Sequence, residues 1–368
     1  SLIQRPWIEL GRRGLPNFRT SPLPTIQHQN LMPSDQTGGG LFKLHLDHRI
    51  TAHKRFVMTF KRGLLQFILW LTSLTALPLT AQEQSWVDMA VHNFGAPINT
   101  MWAEGELSFA ADGTMVYCSA RQDMAVAPGD PKDLYIATFD SETGSWNQPV
   151  NMGLPINAAP ATDVDPLRLG DDREPWITAD GNTIYFKSDR LATSNPNNAT
   201  DLFVTHKENG VWSEPELIPY PISTDEGNEH CPAILQDGET LCFASRRAGG
   251  FGGSDIYCSS QDANGNWLEP INQGSNINTA AEEFLFSQDT DGTVYFTSSR
   301  PGGYGGMDIY GSMQQGENAW GPAYNLGPQV NTAAADLCRA LPPGGNTISW
   351  FSAREDNSSG DRDLSSTH

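Results

Sequence analysis

Residues 293–310 read TVYFTSSRPGGYGGMDIY, and this stretch decides the fold. An alternating run carrying Val294, Phe296 and Ser298 ends at Arg300. A Gly/Pro turn follows, and Asp308-Ile309-Tyr310 opens a second run, so the pattern is that of a β-hairpin. The hairpin recurs. TMVYCSAR, TIYFKSDR, TLCFASRR, TVYFTSSR and TISWFSAR end at Arg121, Arg190, Arg247, Arg300 and Arg354. Four residues before each arginine stands an aromatic: Tyr117, Phe186, Phe243, Phe296 and Trp350. A fixed aromatic on a strand points to packing between sheets.

Each of these strands is fed by a tight turn: Asp112-Gly113, Asp180-Gly181, Asp237-Gly238, Asp291-Gly292 and Gly344-Gly345. The second turn residues are 68, 57, 54 and 53 positions apart. Asp-Gly suits a strand-to-strand turn that needs positive φ. The same explanation covers Asp289-x-Asp291-Gly292, which is therefore read as a turn and not a calcium loop. After each arginine a loop leads to Asp133, Asp201, Asp255, Asp308 and Asp363. Arginine and aspartate flank the same loop and are expected to bridge its base. The loops Gly249–Gly253 and Gly302–Gly306 precede strands and lack a Lys-Ser/Thr pair, so they are not phosphate cradles. In the first two copies longer polar segments replace them, as expected of loops that carry specificity.

A fourth element begins with tryptophan and runs into N-x-G: Trp146 to Gly153, Trp267 to Gly274, Trp320 to Gly327, with Trp212 a degenerate form. The same element stands at Trp86 to Gly95, before the first full copy, while the last copy stops without one. The two defects complement each other. Five units of four short antiparallel strands are expected to form an all-β propeller of five blades. The last blade is closed by the N-terminal strand, within residues 86–95. A six-bladed form is the alternative.

The chain has 368 residues and a formal net charge of −20. Residues 1–81 hold ten of the 23 basic and three of the 43 acidic side chains, so the remainder carries 13 basic and 40 acidic, a net of −27. That surface repels phosphate backbones and anionic lipid headgroups and excludes nucleic acid as a partner. Cations and basic partners are the company it allows. Residues 1–57 show no sustained period and read as a spurious or disordered extension. Residues 58–81 carry Lys61-Arg62, an apolar run of 16 residues from Leu64 to Leu79, and a small-residue end at Ala81. This is a secretory signal peptide pattern, too short for a membrane span, and it implies no stable span after cleavage. The five cysteines, an odd number without CxxC spacing, suggest neither a disulfide framework nor a zinc site. One disulfide within the third repeat stays open.

Taken together, the unit DG-x-[VIL]-YF-x-S-x-R…GG-[FY]-GG-x-D-I-Y…W-x-x-P-x-N-x-G resembles the WD40-like PD40 repeat of TolB-type cell-envelope propellers. The resemblance covers residues 86–368 and is most specific in 228–331. It implies a periplasmic or secreted scaffold of a Gram-negative bacterium, a monomer that binds an envelope protein or a glycan. Such propellers often stand beside peptidoglycan-binding domains.

Just before the innermost strands stand Glu106, Arg173, Glu174, Glu229, His230, Glu282, Glu283 and Asp336. In a propeller these ring one channel mouth. A ring of carboxylates must be solvated, paired or bridged by a cation, so a divalent ion is the one cofactor the sequence leaves open. No G-x-S-x-G or HExxH motif is present. The expected function is non-catalytic binding. The alternative is a carbohydrate-active lyase or hydrolase using the acidic mouth with His230.

Overall fold

The computed structural model describes residues 91–126, 131–158, 170–190, 200–224, 227–316, 318–340, 349–352 and 363–367. Residues 1–57 and 58–81, the Gly344-Gly345 turn and Arg354 lie outside them. The described residues are all-β, and the sheets take a propeller arrangement. Among them no helix is long and apolar enough to cross a membrane.

The first sheet joins Glu104–Phe109, Met115–Ser119, Asp133–Ala137 and Val150–Asn151 in meander order. The second uses Asp172–Ile177, Thr183–Ser188, Asp201–Glu208 and the short Val211–Trp212 and Glu216–Leu217. The third runs His230–Ile234, Leu241–Ser245, Asp255–Ser259, Ile271–Asn272. The fourth contains Glu283–Gln288, Thr293–Ser298, Asp308–Gly316, with Ala319–Trp320 and Tyr324–Asn325 on its outer edge. In a further sheet Asp336–Ala340, Ser349–Ser352 and Asp363–Thr367 are completed by Val91–Asn93. There Val91 pairs with Thr367 and Asn93 with Ser365. The chain's early strand thus covers the edge of its last one.

The tryptophan elements differ from expectation. Trp146 and Trp320 sit in side hairpins against an extension of the third strand or its continuation, and the true fourth strand is the residue pair that ends on the N-x-G asparagine. The asparagines explain why. Asn278 accepts from the Ile256 amide (2.8 Å) and donates back to the Ile256 carbonyl (2.9 Å). Asn272 Oδ1 accepts from both Asn278 (2.9 Å) and the Gly274 amide (2.9 Å). Asn331 with Asn325 and Asn157 with Asn151 repeat the arrangement. The N-x-G-x3-N tail therefore pins the fourth strand to the third and turns the chain toward the next sheet.

The core lies between sheets. Val116, Leu134, Ile177, Ile184 and Phe186 pack first sheet on second. Leu202, Ile222, Leu241 and Phe243 pack second on third. Ile256, Ile277, Phe286, Val294 and Phe296 pack third on fourth. The repeated aromatics Tyr117, Phe186, Phe243 and Phe296 are all fully buried, as their fixed place requires.

Cys242 faces Cys258 across the third sheet's ladder and the two form a disulfide. It closes a loop of 16 residues, for which unfolded-state entropy predicts about 3 kcal/mol of stabilisation. Calorimetry of the double variant Cys242→Ala/Cys258→Ala should show a midpoint several degrees lower. An unchanged midpoint would show that the bridge adds nothing to this sheet.

Candidate functional site

In the third and fourth sheets the repeated arginine turns away from the loop aspartate. In the third sheet Arg247 donates to Ser245 Oγ (3.0 Å), to the carbonyls of Pro221 (3.1 Å) and Ile222 (2.6 Å), and to Glu229 Oε1 (3.1 Å). Its guanidinium lies over Phe243 and Tyr257, 4.9 and 5.2 Å from the ring centroids. Arg190 meets Asp172 in the same way (2.8 Å), and Arg300 meets Glu283 (3.7 Å). Arg121 departs from the pattern, pairing with Asp123 and with the Pro97 carbonyl.

The loop aspartate does a different job. Asp308 accepts from the amides of Tyr304 and Gly305 and from Asn325 Nδ2. Asp255 accepts from the Phe251 amide and Asn272. Asp133 accepts from Val126 and Asn151. A carboxylate folded over backbone amides leaves no room beside it. A Cβ at Gly250 would strike the Asp255 carboxyl, and one at Gly303 the Asp308 carboxyl. Gly250 and Gly303 are required by this packing. Asp201 opens the third strand of the second sheet and is buried; Asp363 lies in its strand, and its side chain is outside the described residues.

The same network takes up three of the acids expected at a channel mouth. Glu229, Glu283 and Asp336 are fully buried. Glu229 accepts from the Thr224 amide and hydroxyl and from Ser245; Glu283 does so from Thr279 and Ser298, and Asp336 from Thr332. They are hubs inside the blades, matched by Glu104 and Asp172, with their side chains closed off from solvent. Burial lifts the Asp172 carboxyl to about 6, against the pull of Arg190. Glu282 is the more open acid, half-buried, paired with Arg246 (3.2 Å) and accepting the Ser254 amide (2.8 Å).

Two residues after each buried hub, the inner strand bulges. Glu106, Glu174, Cys231 and Leu285 all have positive φ there, and the strand register shifts at each. Non-glycine residues are rare in this conformation and cluster where a side chain must be re-aimed. The bulge brings residues of separate sheets together. Glu174 of the second sheet accepts the Cys231 amide of the third at 2.6 Å. Cys231, Leu285 and Leu337, from three inner strands, join one apolar cluster.

Around these bulges the charges are paired. Glu106 accepts from the Cys118 thiol (2.6 Å) and meets Lys132 (3.4 Å). Burial pushes the Glu106 carboxyl up, but Lys132 and Cys118 outweigh it and hold it below its ordinary value. Burial raises the Cys118 thiol, which stays protonated, and the Glu106 carboxylate holds Lys132 above its ordinary range although burial opposes its charge. Lys187 approaches Glu174 (3.8 Å), and Arg173 clasps Asp171. His230 lies 3.9 Å from Glu174 and 3.3 Å from Cys231 Sγ through Nδ1, and 3.0 Å from Ser254 Oγ through Nε2. Burial lowers its pKa against the attraction of Glu174, which leaves the ring neutral at pH 7.

Of the eight predicted site residues the fold thus gathers Glu106, Arg173, Glu174 and His230, sets Glu229, Glu283 and Asp336 apart, and places Glu282 against Arg246 and the Ser254 amide. Sequence reasoning missed Lys132, Lys187 and Cys118. Each sits at a repeat position occupied by different residue types in the other copies, so periodicity gives it no signal.

No known family model and no curated protein sequence matches the chain. Solved structures with a related course include TolB from Acinetobacter baumannii, at 14% identity and a TM-score of 0.40, covering 73% of this chain and 55% of that one. The match thus spans about half of that TolB. Another is Zg3597, a family 117 glycoside hydrolase produced by Zobellia galactanivorans, at 13% identity, a TM-score of 0.46 and coverage of 76% and 89%. A third is the GH43 endo-arabinanase from Bacillus licheniformis, at 14% identity, a TM-score of 0.42 and coverage of 72% and 94%. At this distance neither a binding nor a hydrolytic activity follows from them.

Proposed function

We propose that the chain is an exported, non-catalytic propeller of five blades, related to the PD40 type, that binds a protein or glycan partner through loops at one face. The observation that carries this reading is the commitment of the acids at the inner strands among the described residues. Hydrolysis of a glycoside needs two carboxylates open to the sugar. Here Glu106, Glu174, Glu229 and Glu283 each have a cation nearby, and two of them are fully buried.

What the same end of the sheets offers instead is aromatic. Antiparallel alternation puts the loops after the second strands at the end where the inner strands begin. Phe251 and Tyr304 stand at two such loop tips, 50% and 51% exposed. Their amides are held by Asp255 and Asp308, so both rings are presented on fixed backbone. Preorganised aromatics stack on sugar faces and serve as anchors for protein partners.

Five blades are supported by the Val91–Asn93 ladder and by the packing of Asp336–Ala340 beside the inner strands of the fourth and first sheets. Export is supported by the Leu64–Leu79 run and by the disulfide, a bond that persists in oxidising compartments.

A glycan array and an affinity capture from envelope extract test the reading. The Phe251→Ala/Tyr304→Ala variant should weaken binding of the retained ligand at least tenfold. Unchanged binding removes the loop face. Release of reducing sugar that disappears in Glu106→Gln or Glu174→Gln would establish the enzyme in its place.

A further inference from the structure

Three unlike donors converge where the second and third sheets meet. The Glu174 carboxylate, His230 Nδ1 and Cys231 Sγ all lie within 4.8 Å of one another. His230 and Cys231 are consecutive, and in a regular strand their side chains would point to opposite faces. Cys231 escapes that alternation because its φ is +53°, and Glu174 turns toward it with a φ of +56°. Two backbone departures thus serve one convergence.

We propose that Glu174, His230 and Cys231 form a transition-metal site for which zinc is the fitting ion. The separations of 3.3 Å (His230 to Cys231) and 3.9 Å (His230 to Glu174) are near the edges of a tetrahedron built from metal–ligand bonds of about 2.0–2.3 Å. A thiolate, an imidazole and one carboxylate select zinc over calcium or magnesium, which take oxygen. The second nitrogen of His230 lies 3.0 Å from Ser254 Oγ. A proton on Nε2 donated to that hydroxyl leaves Nδ1 as the lone-pair donor, the support that metal-bound histidines use. Cys231 carries no disulfide, and a bound ion would take it as thiolate. Together with Glu174 the thiolate then balances the ion's two charges.

Three protein ligands leave a fourth position for water, or for a carboxylate or imidazole brought by a partner. Because the donors come from two sheets, the ion also ties one sheet to the next. Neither Phe251 nor Tyr304 is among the three donors, so either proposal can fail without the other.

The test uses the full chain with the Cys242–Cys258 bridge intact and metal removed. Zinc titrated against a chromophoric chelator should bind at one equivalent. The thermal midpoint should rise with zinc, as any ligand of the folded state requires. Cobalt should produce a thiolate-to-metal charge-transfer band. Cys231→Ser should abolish the band and weaken zinc at least tenfold, and His230→Gln should weaken zinc as much. Ser254→Ala should weaken zinc by about 10- to 100-fold, and Cys118→Ser should leave it unchanged. Absence of stoichiometric zinc and of the cobalt band in the unaltered protein would overturn the proposal, whatever the variants do. So would zinc affinity indifferent to Cys231→Ser.

Discussion

Replacing Arg247 with alanine is expected to destabilise the protein by about 3–5 kcal/mol, the loss typical when one partner of a buried ion pair is removed. Glu229 would keep its buried place and its hydrogen bonds from Thr224 and Ser245, but its charge would face no cation. The carbonyls of Pro221 and Ile222 would lose their donor, and Phe243 and Tyr257 the guanidinium above them. Arg247→Lys keeps the charge but not the planar fork that serves a hydroxyl, two carbonyls and a carboxylate together. It should recover only part of the loss. Adding Glu229→Gln to Arg247→Ala removes the stranded charge and should restore about 1–3 kcal/mol. Equilibrium denaturation of the four proteins decides it. A single variant within about 0.5 kcal/mol of the parent would mean that the arginine is a surface residue in all but position.

The second large effect concerns the seam. A chain that starts after Asn93 loses the strand that covers Asp363–Thr367. It also loses Asn93 Oδ1, which accepts from the Gly95 amide and from Asn99, each at 2.7 Å. At about 1 kcal/mol net per hydrogen bond, the loss is roughly 3–5 kcal/mol. For a domain of this size that lowers the midpoint by about 10 °C. The uncovered edge is a template for another chain, so the truncated protein should also self-associate. Light scattering and thermal melting are the readouts. A synthetic peptide spanning residues 82–93, added in trans, should return both toward the parent. A truncated protein that stays monomeric with an unchanged midpoint would show that the seam is held by something other than this strand.

Both effects were legible early, for a shared reason. A repeat writes the same physical demand several times over, so the arginine, the aromatic four residues before it, the Asp-Gly turn and the N-x-G tail stand out by recurrence. Recurrence shows that a residue is needed but not what it touches. Arg300 and Asp308 flank one loop in sequence, yet the arginine turns inward to Glu283 while the aspartate folds over the amides of Tyr304 and Gly305. Strand alternation and the short reach of an aspartate decide between those partners, and both are properties of the folded sheet. The buried hubs show the same limit. Glu229, just before its inner strand, and Glu174, within its own, are both acids, but one is closed inside its own blade and the other lies beside a neighbour's histidine and cysteine.

The sequence by itself determined the β class, the repeat unit, the turns that space it and the early strand that completes the last sheet. These follow from local patterning and from counting which copy lacks which part. Tertiary structure alone decided which charges meet. Glu174 and Cys231 stand 57 positions apart and belong to different repeats. Only the lateral packing of one sheet on the next, with a left-handed residue in each inner strand to re-aim the side chain, brings that carboxylate, imidazole and thiol to one place.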